Sequence, residues 1–253
     1  MPARFTTSWD DGHPLDLRLA EMLAARNLRG TFYVPRKSQT RTMSDDQIRK
    51  LSADFEIGAH TLHHVFLDAC DDARAREEIS GSRKWIEDIT GKTCHVFCPP
   101  GGKFDEHHLE MIREAGFVGV RTVELLSLDE PRRSSGLLML PTTIQAHPHR
   151  RLAYGRNFAR RRAWENLWRY LRSGATTDWV GLSDLLIAEC VRHGGVFHLW
   201  GHSWEIESRA QWKKVAQVLD RLAALSGSAS CVTNGDLCAL QTSRTFPSRL
   251  AAV

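Results

Sequence analysis

No stretch of the 253 residues approaches the ~20 consecutive apolar residues that a bilayer-spanning helix requires, which excludes an integral helical membrane protein. The chain opens Met1-Pro2-Ala3-Arg4-Phe5-Thr6 and reaches a carboxylate-bearing segment by Asp10. That leaves no room for an apolar signal region, so an intracellular, cytoplasmic location is expected. None of the six cysteines (Cys70, Cys94, Cys98, Cys190, Cys231 and Cys238) stands in a CxxC pair. Reduced, buried or half-buried thiols are expected, and a structural zinc site built from Cys94, Cys98, Cys190 and His193 has poor spacing. No exact repeat or low-complexity linker marks a boundary, so one catalytic domain is expected over 1–241, followed by a patternless tail, 242–253. With 42% hydrophobic and 25% charged residues, disorder, collagen and coiled coil are excluded as the main state. A formal net charge of +4 is too mild to imply nucleic acid.

What the chain does contain is alternation. Arg4–Trp9 reads as a first strand, and Leu15, Leu19, Met22 and Leu23 mark a helix over Pro14–Asn27. Thr31–Val34 is β-prone, and Ser44 with Gln47 is a capping-box signature for a helix reaching Ser52. Phe55–Ala59 alternates as a strand, a long helix follows over Asp71–Thr90 with Gly91 as its stop, and Cys94–Cys98 is strand-like. Asp105 caps a helix ending near Gly116, and strands are expected at Val118–Val120 and Leu137–Leu140. Arg156–Ser173 reads as a helix whose apolar face, Trp164, Leu167, Trp168 and Leu171, is expected in the core. Val196–Trp200 is the strongest late strand, Trp212–Ala223 an amphipathic helix, and Ser230–Thr233 a last strand. The alternation argues for an α/β architecture with a largely parallel sheet, and periodicity alone fits an open sheet and a barrel equally well.

Three strand ends carry residues suited to metal chemistry: Ser8-Trp9-Asp10-Asp11-Gly12, His60-Thr61-Leu62-His63-His64, and His198 through Glu205. In parallel α/β folds the C-terminal ends of strands build the active site. His60 and His64, four apart, can face one way on a helical turn, and Asp11 can complete a set of three that leaves positions open for water and substrate. Asp10 is then placed to accept a proton, and His202 to protonate a leaving group. Each motif also has a plain reading: an Asp-Asp-Gly turn, two unrelated histidines, or the pairing His60 with His63. Thr61 stands where the HExxH metalloprotease motif needs its glutamate, so that chemistry is excluded.

These motifs carry a family resemblance. Thr7-Ser8-Trp9-Asp10-Asp11-Gly12 resembles the T-F-D-D-G motif of the NodB-homology polysaccharide deacetylases, carbohydrate esterase family 4. Thr31-Phe32-Tyr33-Val34 is similar to their T-F-F-V strand, Glu56 through His64 to E-I-G-N-H-[ST]-x-x-H, and Val232 through Leu237 to their closing segment. The resemblance runs from Phe5 to about Leu240. It implies a distorted (β/α) barrel with fewer than eight regular strands, Asp10 as catalytic base, and Asp11, His60 and His64 as ligands of a divalent metal. Zinc is expected, with cobalt, manganese or nickel as alternatives. The late catalytic histidine maps to His202, in a segment similar to H-P-W-E-I, and His198 reads as a neighbouring or core histidine.

The third family motif, R-x-P-Y-G, departs here. Phe97-Cys98-Pro99-Pro100-Gly101-Gly102 puts Cys98 where the arginine that holds the base should stand. Cysteine cannot make that charge-assisted contact, and Arg121 is the candidate substitute. The Gly101 amide is a candidate oxyanion donor, with Pro100, His13 and Trp204 as candidate substrate contacts. Trp200 either stacks on a sugar or packs in the core, and Glu205 is placed to orient His202. His147 and His149 carry weaker expectations. Between His147 and Arg172 eight arginines face the single acid Glu165. They read as a solvated face, or as an attraction for an anionic, nucleotide-linked or phosphorylated substrate. A membrane surface is a further reading, and no nucleic-acid motif accompanies the charge.

The expected activity is hydrolytic removal of an acetyl group from an N-acetylated sugar or glycan, with an Asp base and a His acid flanking a water on the metal. Two alternatives stand beside it. One is the same fold acting on another amide, a cyclic ureide or an O-acetyl ester. The other is a non-catalytic sugar-binding relative.

Overall fold

Strand β1 (Ala3–Asp10) is buried along its whole length, and its side chains alternate between two environments. Phe5 and Trp9 face the main apolar core with Phe32 and Phe197, whereas Thr6, Ser8 and Asp10 face inward, where Thr6 accepts a hydrogen bond from Asn234 and Ser8 meets His198. The computed structural model describes residues 2–245. On one side β1 pairs in parallel with β2 (Thr31–Val34), then β3 (Glu56–Ala59), β4 (Val96–Phe97), β5 (Gly119–Arg121) and β7 (Leu137–Leu140), with β6 (Arg132–Ser134) antiparallel at the edge. On the other side lie β9 (Gly195–His202) and β8 (Ile144–Gln145), and β10 (Ser230–Cys231) pairs with the start of β1. Among the described residues only β1 and β9 run longer than four residues.

The sheet is curled. Strands β1 and β5 are four places apart, about 19 Å in a flat sheet, yet the Arg121 guanidinium from β5 meets the Asp10 carboxylate of β1. That closure makes a distorted (β/α) barrel with its path open between β6 and β8. Register then decides what shares the interior. Asp10 stands opposite His202 on β9 and Tyr33 on β2, so all three point the same way.

The helices are α1 (Asp16–Ala24), α2 (Asp45–Leu51), α3 (Asp72–Thr90), α4 (Glu106–Glu114), α5 (Arg151–Arg161), α6 (Trp164–Arg172), α7 (Trp179–His193), α8 (Ser203–Ser208), α9 (Trp212–Ala224) and α10 (Asn234–Thr245). Several ends obey the local sequence. Ser44 and Gln47 form the capping box of α2, Asp71 caps α3, Gly91 ends it at φ +68°, and Asp105 caps α4. Helix α10 plugs the inner face, where Leu237 and Cys238 join Tyr33, Val96, Leu138 and Val196. Gly119 admits it, since a Cβ there would collide with the Cys238 sulfur.

Several expectations are corrected. The single helix over 156–173 is two, broken where Arg162 adopts a left-handed φ of +51°. Trp164, Trp168 and Leu171 are 67%, 65% and 51% exposed rather than core. Helix α6 docks instead through Tyr170, stacked on Tyr154 at 4.6 Å, and through Asn166 and Arg169, which hydrogen-bond to Glu124 and to the Leu126 carbonyl. Helix α7 was not expected at all. The expected tail begins inside α10, which continues to Thr245, and 246–253 lie outside the described residues. Among the described residues no helix is long and apolar enough to cross a membrane.

Candidate active site

One wall of the site is built on Asp10. Arg121, wholly buried, donates from Nη2 to Asp10 Oδ2, and its guanidinium lies 4.6 Å from the Trp200 ring centroid. Burial pushes the Asp10 carboxyl up, but the Arg121 charge, with His60 and His202 adding to it, brings it below its ordinary value. Asp10 is thus an anion whose Oδ1 is buried and accepts no hydrogen bond. His202 Nε2 stands 3.9 Å from Asp10 Oδ2, and its Nδ1 is 2.6 Å from Glu205 Oε2. Gln145 donates to that same Glu205 oxygen at 3.1 Å, and His149 lies 2.8 Å from Gln145 Oε1. Burial disfavours a charged His202, but Glu205 and the two aspartates outweigh it and push the imidazole up to about 9.

The opposite wall is built on Asp11. The chain turns sharply after β1, with Asp11 at φ +78° and Gly12 at φ +59°. A left-handed aspartate is an uncommon conformation that surrounding structure must hold. The turn aims the Asp11 carboxylate away from Asp10, toward His64 Nε2 at 3.0 Å and His60 Nε2 at 3.5 Å. Trp204 Nε1 donates to Asp11 Oδ2 at 2.8 Å. His60 Nδ1 is 2.6 Å from the Cys98 carbonyl, to which it donates, so Nε2 is left facing Asp11. His60 and His64 do not share a helical turn, as spacing suggested. They meet across an irregular loop in which Thr61 and His64 have φ of +61° and +52°.

Glu78, buried on α3, shapes that loop. It accepts the Leu62 and His63 amides at 2.8 Å each, and its other oxygen lies 2.8 Å from His63 Nδ1. His63 is thereby turned to Glu78 and away from Asp11.

Three ligand atoms, one each from Asp11, His60 and His64, lie within 4.8 Å of one another. The fit to a divalent ion rests on Asp11 Oδ1, which is buried, accepts no hydrogen bond, and faces two imidazole nitrogens. One oxygen and two nitrogens form an open set of the kind zinc takes. Asp10, His60 and Cys98 also cluster, but burial pushes the Cys98 thiol well above its ordinary value, which disfavours the ligating thiolate.

The other sequence-derived candidates divide. Pro100 is buried and Gly101 exposed in a 3₁₀ turn, Pro100–Gly102, with Gly101 at φ +63°. His13 is half-buried and its Nδ1 accepts the Leu15 amide at 3.2 Å, so its ring braces the start of α1. Trp200 is buried under Arg121 and unavailable to a sugar face. His198 is a core histidine, 2.8 Å from Ser8 Oγ and 3.0 Å from the Pro141 carbonyl. Sequence reasoning missed Glu78 and Gln145, which act across 15 and 60 residues. It also missed Phe66, 42% exposed and packed where a Gly101 Cβ would lie.

Comparison with known proteins agrees with this architecture. Residues 4–120 match the polysaccharide deacetylase family model. No protein of curated function matches the sequence. The fold is similar to that of a candidate polysaccharide deacetylase from Mycobacterium smegmatis (TM-score 0.70, 13% identity, covering 100% of this chain and 95% of that one). It is also similar to a family 4 acetyl xylan esterase from Clostridium thermocellum in complex with a cobalt ion (TM-score 0.56, 16% identity, 94% and 92%), and to a mutant peptidoglycan deacetylase from Bacillus subtilis (TM-score 0.55, 14% identity, 97% and 94%). In sequence over residues 4–120 and in fold over its length, the chain resembles the NodB-type polysaccharide deacetylases.

Proposed function

We propose that the protein is a metal-dependent hydrolase that removes an acetyl group from an N-acetylated sugar or glycan. The observation that carries this reading is the meeting of Asp11, His60 and His64 beside Asp10, a carboxylate clamped by Arg121 and faced by His202. The donor set suits zinc, with cobalt, manganese and nickel as alternatives. A divalent ion held there supplies Lewis-acid polarisation of a carbonyl and eases the deprotonation of water.

The chain's own residues do the rest. Asp10 takes a proton from the attacking water on its unpartnered Oδ1, and Arg121 keeps that carboxylate ionised and fixed. His202, protonated at neutral pH because of Glu205, delivers a proton to the departing amine as the C–N bond breaks and acetate leaves. Trp204 holds Asp11 through its indole N–H, and the Gly101 amide is an oxyanion donor at the edge of the site. Phe66, exposed beside Gly101, offers a flat face to a sugar ring.

The experiment is acetate release by metal-stripped and metal-reloaded protein, offered an N-acetylated oligosaccharide, an O-acetylated xylan and a cyclic ureide. The expected result is acetate from the first, restored by metal. Release from the xylan alone, or ring opening of the ureide, would reassign the bond. Glycan binding without turnover under every metal would mark a binding protein.

A further inference from the structure

The geometry points to an anion subsite beside the catalytic centre, a cavity walled by Arg132, Arg133, Arg160 and Arg161 that takes the phosphate or diphosphate group of a phosphorylated, acetylated sugar. The assignment of that group to the substrate rests on the deacetylase reading above; the subsite itself does not.

The cavity measures about 500 Å³, and Phe104 and Met139 also line it. Its arginines come from two separate elements, β6 and the last turn of α5. A helix C-terminus favours cations, which accounts for Arg160 and Arg161 on α5. It does not account for their convergence with Arg132 and Arg133 from a strand. Arg132, Arg133 and Arg160 are exposed and Arg161 is half-buried, so water screens their charges and leaves their guanidinium forks accessible. One carboxylate, Glu124, is in the lining, and it is already engaged: Oε2 accepts from Arg132 at 2.8 Å and Oε1 from Asn166 at 3.1 Å. Arg132 also reaches Asp129 at 3.4 Å. Arg133, Arg160 and Arg161 form no ion pair with any described carboxylate, and Arg161 Nε is buried without a partner.

None of Asp10, Asp11, His60, His64 and His202 lines the cavity, which is tied to the catalytic centre through two chain neighbours. Gly102, in its lining, follows Gly101, and a Cβ at Gly102 would stand 3.2 Å from Arg161 Nη2, so this guanidinium lies against the 3₁₀ turn of the active site. Thr122, also in the lining, follows Arg121, the clamp on Asp10. Guanidinium forks match phosphate and carboxylate oxygens in pairs. Glu124 attracts Arg161 without contacting it, and Arg133 and Arg160 have no carboxylate partner among the described residues, so the open forks match a group of two or three negative charges.

The test is calorimetric titration of inorganic pyrophosphate into the full chain, wild type against Arg133→Gln/Arg160→Gln and against Arg161→Gln, with thermal melts confirming that each variant folds. A sugar 1-phosphate and a nucleotide diphosphate sugar, titrated in parallel, separate the two sources of phosphate. The expected results are pyrophosphate binding weakened at least tenfold in both variants. The ratio of kcat/KM on a phosphorylated over a neutral N-acetyl sugar should fall by a similar factor. Pyrophosphate binding that is absent in the wild type, or unchanged in both folded variants, overturns the subsite. Binding lost in the variants while no sugar yields acetate keeps the subsite and removes the deacetylase reading. Acetate from a neutral sugar with no arginine-dependent binding does the reverse.

Discussion

The two walls of the site begin on consecutive residues and end in opposite chemistry. Asp10 is the last residue of an extended strand and points inward to a buried guanidinium. Asp11, one peptide bond later, sits at φ +78° and points to two imidazoles and an indole N–H. The charge that lowers one carboxyl is permanent; the other is held down by histidines, against the opposing effect of burial in both cases. One left-handed residue therefore gives two identical side chains opposite surroundings, which the proposed mechanism uses as a proton acceptor and a metal ligand. Each wall also has a carboxylate behind its histidines: buried Glu78 shapes the His60–His64 loop, and half-buried Glu205 orients His202.

The sharpest way to break the comparison is to neutralise one wall only. Asp10→Asn should retain the metal and lose turnover by about 10²–10⁴-fold, the usual worth of a positioned general base; near-native hydrolysis would remove Asp10 from its role. On the other wall, Glu78→Gln should weaken metal binding by about 10–100-fold, the scale for residues that orient ligands. Metal content and affinity are the readout, and an unchanged affinity would show that the loop holds its shape without Glu78.

Glu205→Gln sharpens the difference further. Glu205 is the strongest of the contacts that raise His202 to about 9. The variant should lose about tenfold in rate, and the alkaline limb of its pH–rate profile should move down from about pH 9. A lower rate with an unmoved limb would make Glu205 a packing residue alone.

The smallest effect concerns His198, below the two walls. Burial, then the Arg121 charge, push it down to about 3 from 6.5. It is neutral in the fold but protonated in the unfolded chain below pH 6.5. Its contribution is thus complete above pH 6.5 and declines as pH falls toward 3. The Tm advantage of wild type over His198→Gln should narrow between pH 7 and pH 5, and a gap constant with pH would contradict the burial argument.

How much of this was legible in the sequence differs from place to place for physical reasons. Thr7–Gly12 and the histidines His60 and His64 are readable because strand, turn and candidate ligand lie within a few residues of one another. The caps at Ser44, Asp71 and Asp105 are readable for the same reason: their hydrogen bonds close within three residues. Arg121 is readable from the sequence because Cys98 leaves a charge to be supplied; only the curl of the sheet shows how it reaches Asp10. Glu78 and Gln145 carry no local signature, since their partners are distant in the chain. Helix α7 is buried on many sides, with Trp179, Val180, Leu182, Ser183, Leu186, Ile187 and Cys190 all covered, so it shows no clean apolar stripe. Helix α6 turns Trp164, Trp168 and Leu171 of its apolar stripe outward while Leu167 packs against the core, because Tyr170, Asn166 and Arg169 have specific partners inside and the tryptophans do not.

The most direct test of the account is a metal titration of stripped protein, wild type against Asp11→Ala, read by calorimetry and elemental analysis. The account predicts one tightly bound divalent ion per chain in the wild type and none in the variant. A wild type that binds no ion, or an Asp11→Ala protein that binds it equally well, would contradict the assignment of Asp11, His60 and His64 as its ligands.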